Sequence, residues 1–562
     1  MQTFQKLALT VKERVKSNFA YATFHFILIM FFIAVFTTLF GANNSIVAII
    51  FVQITLSTIS RDLTASLFKN FVFQTIVLSF MTIGACISVN IPPIWALLIH
   101  LIVVFIILYV YTFDYIRQLY FPYVLSYLFL VCLAPISFAQ LPIRIISVIF
   151  GCVCIMLYQY IINRKRIVNT TRQVLLSILD EANAIITAII NHEEVTIKIE
   201  QMRASLMSLS QIVYDRRKKL LCLSDAALAT IDVARGLENL VIDLYEKDLK
   251  QDKELLYQTA YYLSCFKSYL LEEMKEIPIL SKDELQNTNV NCKDIYLDLN
   301  FIRNQLLAMN NVNNKRTYEY ARPSINCRLK TAIQFSEVRF VYALRLAILL
   351  SFMLFIVQYW QLEHGRWLLF TIVSISLPYV EEMLPKAKKR IMATLVGGTI
   401  SLLCFSFIDD SSIRTLILML SGYITFYCVD YKSTFICSTI GALGGNILAT
   451  SFGIQAVGHV VLIRLIYIVA GIIIALLVSH FIYPYNKKKA LAQLLAKYHL
   501  TNDVILKLCQ QRNTDKQQYY HLILHSFMQE YTLRQHARDL NDSGRIEEVL
   551  SNTRLMLRRA HT

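Results

Sequence analysis

The sequence predicts an all-α polytopic membrane protein: two parallel six-helix transmembrane repeats, a helical cytoplasmic domain between them and a helical cytoplasmic tail. Three observations predict it. Apolar runs of spanning length fall into two clusters of six. The clusters align with each other in order. The stretches between and after them carry an apolar residue every three or four positions, the period of amphipathic helices.

Composition sets the frame. The chain has 562 residues, 56% of them hydrophobic and only 17% charged, with mean hydropathy +0.49. That is too little charge for the surface of a soluble protein of this length. The formal net charge of +16 points to basic cytoplasmic loops rather than to nucleic acid, because no basic stretch interleaves with exposed aromatics. The twelve cysteines are scattered without a CxxC pair, which fits a reducing compartment and neither disulfides nor a metal. No cofactor motif is present.

Residues 1–18 read as a basic amphipathic lead-in without a cleavage site. The first transmembrane unit, 19–163, holds apolar runs near 19–40, 44–60, 71–89, 93–113, 121–138 and 141–162; those near 44–60 and 121–138 are short for a bilayer and read as less tilted or partly re-entrant. The second, 338–485, holds runs near 338–360, 367–381, 390–408, 413–429, 433–452 and 456–484, with Pro378 reading as a break in the 367–381 run. Phe19-Ala20-Tyr21-Ala22 aligns with Phe340-Val341-Tyr342-Ala343, Lys69 with Arg390, and Arg144 and Gly151 with Arg464 and Gly471. An even number of helices per unit makes the two repeats parallel.

Lys and Arg concentrate on alternate connections: Arg61 and Lys69, Arg117, Arg164 to Arg166, Lys386 to Arg390, Lys432, Lys487 to Lys489. The positive-inside rule then puts both termini, the domain at 164–337 and the tail at 486–562 in the cytoplasm. Asn-rich breaks at Asn287 to Asn291 and Asn310 to Asn314, followed by Pro323, read as loops of the middle domain.

No phosphate-binding loop, HExxH, GxSxG or Cys/His ligand spacing occurs, so an enzyme is not expected. The informative residues are charges inside apolar segments, each costly unless paired or snorkelling. Arg345, Arg464 and Arg144 have two readings, as anion-holding groups on a substrate path or as snorkelling side chains. His364, Arg366 and Trp367 form a turn before the eighth run and are candidates for the substrate path. Trp367 reads there alternatively as an interfacial anchor.

Glu381 and Glu382 beside Lys386, Lys389 and Arg390 read either as a cytoplasmic ion-pair gate or as a solvated hairpin. Gly151, Gly397, Gly398, Gly441, Gly445 and Gly471 are candidates for close helix packing. His25, His100, His459 and His480 lie in or near spans, but no Asp or Glu sits mid-span. The usual carboxylate proton relay is therefore missing, and His459 near Arg464 keeps a proton step open.

The stretch Glu363 to Ile400 carries a resemblance. Its His364-Gly365-Arg366-Trp367 turn, followed by a helix reading Arg390, Ala393, Thr394, Gly397, resembles the fusaric-acid-resistance (FUSC) superfamily, with Ala393 departing from a glycine of the pattern. The unit–domain–unit–tail plan is similar to its YccS/YhfK-type branch. The resemblance implies a transporter of the bacterial inner membrane exporting small organic, including aromatic, acid anions. A passive anion channel and a membrane-anchored scaffold or sensor acting through the cytoplasmic helices remain alternatives. The expected partners are the lipid bilayer and a small organic anion, with a homodimer as one open arrangement and no nucleic acid.

Overall fold

The computed structural model describes residues 2–58, 67–112, 119–193, 199–215, 225–246, 252–279, 290–311, 337–408, 410–428, 430–448, 453–482, 484–510 and 516–561. Arg61, Arg117, the Pro323 loop and most of the two Asn-rich breaks lie outside the described residues. The described residues contain helices and no strand.

The helices run, in order, α1 Gln2–Phe40, α2 Ser45–Thr58, α3 Leu67–Asn90, α4 Pro93–Tyr111, α5 Tyr120–Cys132 and α6 Leu141–Ile190. Next come α7 Ile199–Asp215, α8 Asp225–Glu246, α9 Lys253–Leu270, α10 Val290–Asn310, α11 Glu337–Tyr359, α12 Arg366–Ile375 and α13 Met383–Phe407. The last are α14 Ser411–Thr425, α15 Tyr431–Ile447, α16 Ile454–Phe481, α17 Lys487–Gln510, α18 Lys516–Asp539 and α19 Ser543–His561. They divide into two units. One gathers residues 1–58, 71–155 and 335–490, the other 59–70, 156–334 and 491–562.

The first unit is apolar inside and out. α16 turns Leu462, Ile466, Ile473 and Leu477 outward while burying Val457, Val460, Ile468 and Ile472. α4 exposes Ile94, Leu98, Ile102 and Ile106 in the same way. Outward apolar stripes of this length are unfavourable in water and natural against lipid tails. The hydroxyls within these helices are returned to the backbone. Thr371 donates to Trp367 O at 2.7 Å, Thr394 to Arg390 O at 2.9 Å and Ser401 to Gly397 O at 2.8 Å. Asp410 caps α14, accepting from the Ser412 N–H at 2.7 Å, and Asp430 caps α15 through the Ser433 N–H at 3.1 Å.

Eight helices among the described residues are long and apolar enough to cross a membrane, where the sequence predicts twelve spans. The difference has two causes. α5 and α12, with 13 and 10 residues, are too short to span alone, because the chain unwinds at the stretches that carry Pro135 and Pro378. α2, α14 and α15 are also short, at 14, 15 and 17 residues.

One of the eight, Thr171–Ile190, lies in the stretch expected to be cytoplasmic. Its apolar stripe (Leu175, Ile178, Leu179, Ala182, Ile185, Ile186 and Ile189) is buried in one core with α7 to α10. Its polar side pairs Arg172 with Glu272 and Asp180 with Lys267. A helix whose apolar face is already covered by protein, with ion pairs on its other side, is a core helix of the second unit.

In that second unit the tail helices join the middle helices. α18 packs on α7 and α19 on α18. Arg203 of α7 reaches Glu547 of α19 at 3.2 Å, and Arg554 of α19 reaches Glu238 of α8 at 3.6 Å.

Candidate functional site

The site grows from four packed helices of the first unit: α12, α13, α15 and α16. Glycines let them approach. A Cβ on Gly397 of α13 would stand 2.9 Å from Ile436 O of α15, and one on Gly471 of α16 would stand 3.1 Å from Leu368 O of α12. Gly398 faces Val461 of α16 at 3.1 Å. Gly441 and Gly151 make looser contacts, at 3.5 and 3.6 Å, and Gly445 meets open space. Its neighbour Gly444 is the close-packed one, 2.8 Å from Phe405. The Gly441/Gly445 face expected from the sequence is thus displaced by one residue, because a short helix in contact with both α13 and α14 turns Gly444 toward them.

Arg390 and Arg464 sit within this packing, each only 4% exposed. Arg390 lies over the Phe435 ring at 4.0 Å, and Arg464 over the Trp367 ring at 5.1 Å. Among the described residues, Nε and Nη1 of both have no hydrogen-bond partner. Among the same residues no carboxylate acts on either charge; Tyr431 acts on Arg390, and Arg390 acts on Arg464. Buried like charges with their donors unused are costly unless an anion joins them.

Arg345, on α11, is 3% exposed. Its Nη2 donates to Leu377 O at 2.8 Å and Pro378 O at 3.4 Å, while Nη1 is unpartnered. It therefore ties down the carbonyls freed where α12 ends before Pro378, helped by Tyr342 Oη donating to Ser376 O at 3.0 Å. Arg144 is fully engaged: Nε donates to Asn44 Oδ1 at 2.5 Å, Nη2 to Asn43 O at 2.7 Å and Nη1 to Ala134 O at 3.4 Å. Arg144 is a structural tie at the turn before α2. None of the three snorkels; each guanidinium is held inside protein. Arg414 likewise caps α13 through Ile408 O at 2.6 Å and Phe405 O at 3.3 Å.

Trp367 is 4% exposed and shares a core with Phe405, Ile440, Leu443 and Ile447. It is a core residue where an interfacial anchor was one expectation. Its indole stacks on His364, with ring centroids 4.7 Å apart and planes 12° from parallel. Arg366 donates to Asn446 Oδ1 of α15.

The expected gate is arranged differently. Glu381 accepts the Lys487 N–H at 3.2 Å, and Glu382 pairs with Lys487 Nζ at 2.7 Å. Lys389 points to the exterior and Arg390 into the core. The carboxylates thus engage Lys487 at the start of α17, with Lys386 of α13 also within reach of Glu382, while a helix sends Lys389 and Arg390 to different faces.

Residues 350–478 match the fusaric acid resistance protein-like family. This fusaric acid resistance-like segment runs from α11 through α16 and so contains Trp367, Arg390, Phe435 and Arg464. No curated protein and no solved structure matches the chain. The chain is a membrane protein carrying this segment and several helices able to cross a bilayer.

Sequence reasoning missed Phe435, Tyr431, Asn446 and Lys487 as partners. Phe435 and Tyr431 stand four apart on one helix face, the only local signal that they form a wall. Their meeting with Arg390 is a tertiary fact.

Proposed function

We propose that this protein is a membrane transporter of small organic anions, in which Arg390 and Arg464 hold the anion and Trp367 and Phe435 wall the place it occupies. One observation carries the reading: two buried guanidiniums in one helix packing, with unpartnered Nε and Nη1 atoms and, among the described residues, no carboxylate to neutralise them. A carboxylate ligand supplies charge and acceptors together, and a guanidinium fork suits it. The fusaric acid resistance-like match of the same segment supports transport rather than a purely structural role.

The finer reading follows the family resemblance: a YccS/YhfK-type exporter of the bacterial inner membrane, with both termini in the cytoplasm. Two features support a duplicated six-helix origin. The fourth helix of the first set, α4, packs on the first of the second set, α11, and reciprocally α1 packs on α14. The aligned pair Arg144 and Arg464 each reach the start of the second helix of their own set. A passive anion channel is the second reading, favoured by the lack of mid-span carboxylates for proton coupling.

The test is flux of labelled benzoate-type acids in proteoliposomes, with and without a pH gradient. Flux that needs the gradient supports the carrier; flux that follows voltage alone supports the channel. No flux of any tested anion by folded protein removes the transport reading.

A further inference from the structure

We propose that His364 is a proton-responsive positioning residue for the Arg464 site, acting through the indole of Trp367. The proposal rests on reading Arg464 as an anion holder. Three observations lead to it. The indole of Trp367 receives both the His364 imidazole, stacked at 4.7 Å, and the Arg464 guanidinium, at 5.1 Å. His364 holds a positive φ of 58°, a region that residues with a Cβ seldom adopt, and the Trp367 N–H donates to His364 O at 3.0 Å. The backbone thus presses this ring onto the indole at some cost, and such strain gathers where function needs it. Among the described residues Arg464 leaves Nε and Nη1 without a partner, so the indole face is the contact that holds its guanidinium.

A neutral imidazole leaves the indole face free to attract Arg464. An imidazolium competes for the same quadrupole, so Arg464 turns to an incoming carboxylate and the site gains positive charge. The charged and titratable groups facing His364 are Glu363, at 3.5 Å, Arg366 from its own turn and His459 of α16, with Tyr467 of α16 near Glu363. Burial opposes the imidazolium most, Glu363 favours it, and Arg366 and His459 oppose it further. Acid on the side of the turn therefore raises anion affinity, and neutrality lowers it.

The experiment uses the full chain in nanodiscs with Trp95→Phe and Trp360→Phe. Both residues are more than 60% exposed, and their replacement leaves Trp367 as the single tryptophan of the three. Trp367 emission and benzoate affinity are followed from about pH 8 to about pH 5, the window of an imidazole. The expected result is quenching of Trp367 with one histidine-like midpoint and benzoate affinity rising about fivefold or more with it.

His364→Asn, which tolerates the left-handed backbone, abolishes both changes and keeps the affinity seen at high pH. Emission that ignores pH, or a titration that persists in His364→Asn, overturns the proposal. So does benzoate binding of constant affinity, which would leave the anion site itself standing. A clean His364-dependent titration of Trp367 with no anion bound at any pH instead removes the anion reading, and this proposal with it.

Discussion

Arg464 lays its guanidinium over the indole of Trp367, and no carboxylate among the described residues answers its charge. That arrangement sets a trade between stability and function. Replacing Arg464 with Met removes a buried charge with unsatisfied donors, so the folded protein gains about 1–4 kcal/mol while anion binding is lost. Thermal unfolding in detergent alongside benzoate titration checks both. A less stable Arg464→Met protein would show that the charge is already neutralised in the native state.

Close helix approach gives a sharper contrast. A Cβ at position 397 meets backbone, 2.9 Å from Ile436 O, whereas a Cβ at position 445 meets nothing within 4 Å. Gly397→Ala is expected to lower stability by about 1–3 kcal/mol through overpacking. Gly445→Ala should be neutral or stabilise by a few tenths to about 1 kcal/mol through helix propensity. Melting curves of the two variants should separate clearly; equal melting temperatures would contradict the α13–α15 packing.

Glu382 and Lys487 form a pair at 2.7 Å whose lysine is largely buried. A double-mutant cycle between them should give a coupling of about 0.5–1 kcal/mol. The corresponding cycle between Glu382 and Lys389 should give none. Coupling to Lys389 would restore the gate within the α12–α13 hairpin.

The second unit has an acid-sensitive seam. Glu530 of α18 is 1% exposed and accepts from Arg554 at 2.6 and 3.1 Å and from Tyr498 at 3.0 Å. Arg554, Arg235 and Arg534 together hold its carboxyl at about 2, below the ordinary 4.5, against the opposing effect of burial. A lowered carboxyl pKa stabilises the fold above the unfolded value of 4.5. That stability is lost as pH falls from 4.5 toward 2, about 3 kcal/mol in all. Asp232 works in the opposite sense: burial raises it to about 6, so its contribution is lost as pH rises through that value. Protection of α18 and α19 against hydrogen exchange, corrected for the intrinsic rate at each pH, should therefore fall below about pH 4.5, and Glu530→Gln should remove most of that dependence. Protection unaffected by acid would show that the arginines do not hold the carboxylate as placed.

Much of the fold was legible because bilayer and core both impose periods on sequence. The run at 456–484 appears as α16, and the amphipathic middle and tail appear as helices with one buried face. The short helices were partly legible as short: the runs near 44–60 and 121–138 are thin in the sequence and appear as α2 and α5, and Pro378 reads as the break that follows α12. The brevity of α14 and α15 was not legible, and hydropathy reads straight through Pro135, where the backbone unwinds. The site was half legible. A charge such as Arg464 in an apolar run is visible in sequence because of its cost. Whether it finds acceptors, as Arg144 does on Asn43 and Asn44, or only an aromatic face, as Arg464 does on Trp367, depends on residues some 100 positions away. Trp367 shows the same limit: a tryptophan in a turn looks interfacial until a second set of helices buries it.

The most direct test of the central claim is binding of benzoate and a small panel of carboxylates to purified full-length protein, by calorimetry at low salt. Wild type would be compared with Arg390→Gln and Arg464→Gln. The account predicts one anion bound per chain, with affinity falling at least about tenfold in each variant, as expected for loss of a charge-assisted contact worth about 1.4 kcal/mol or more. Folded variants that bind the same carboxylate as tightly as wild type would contradict it.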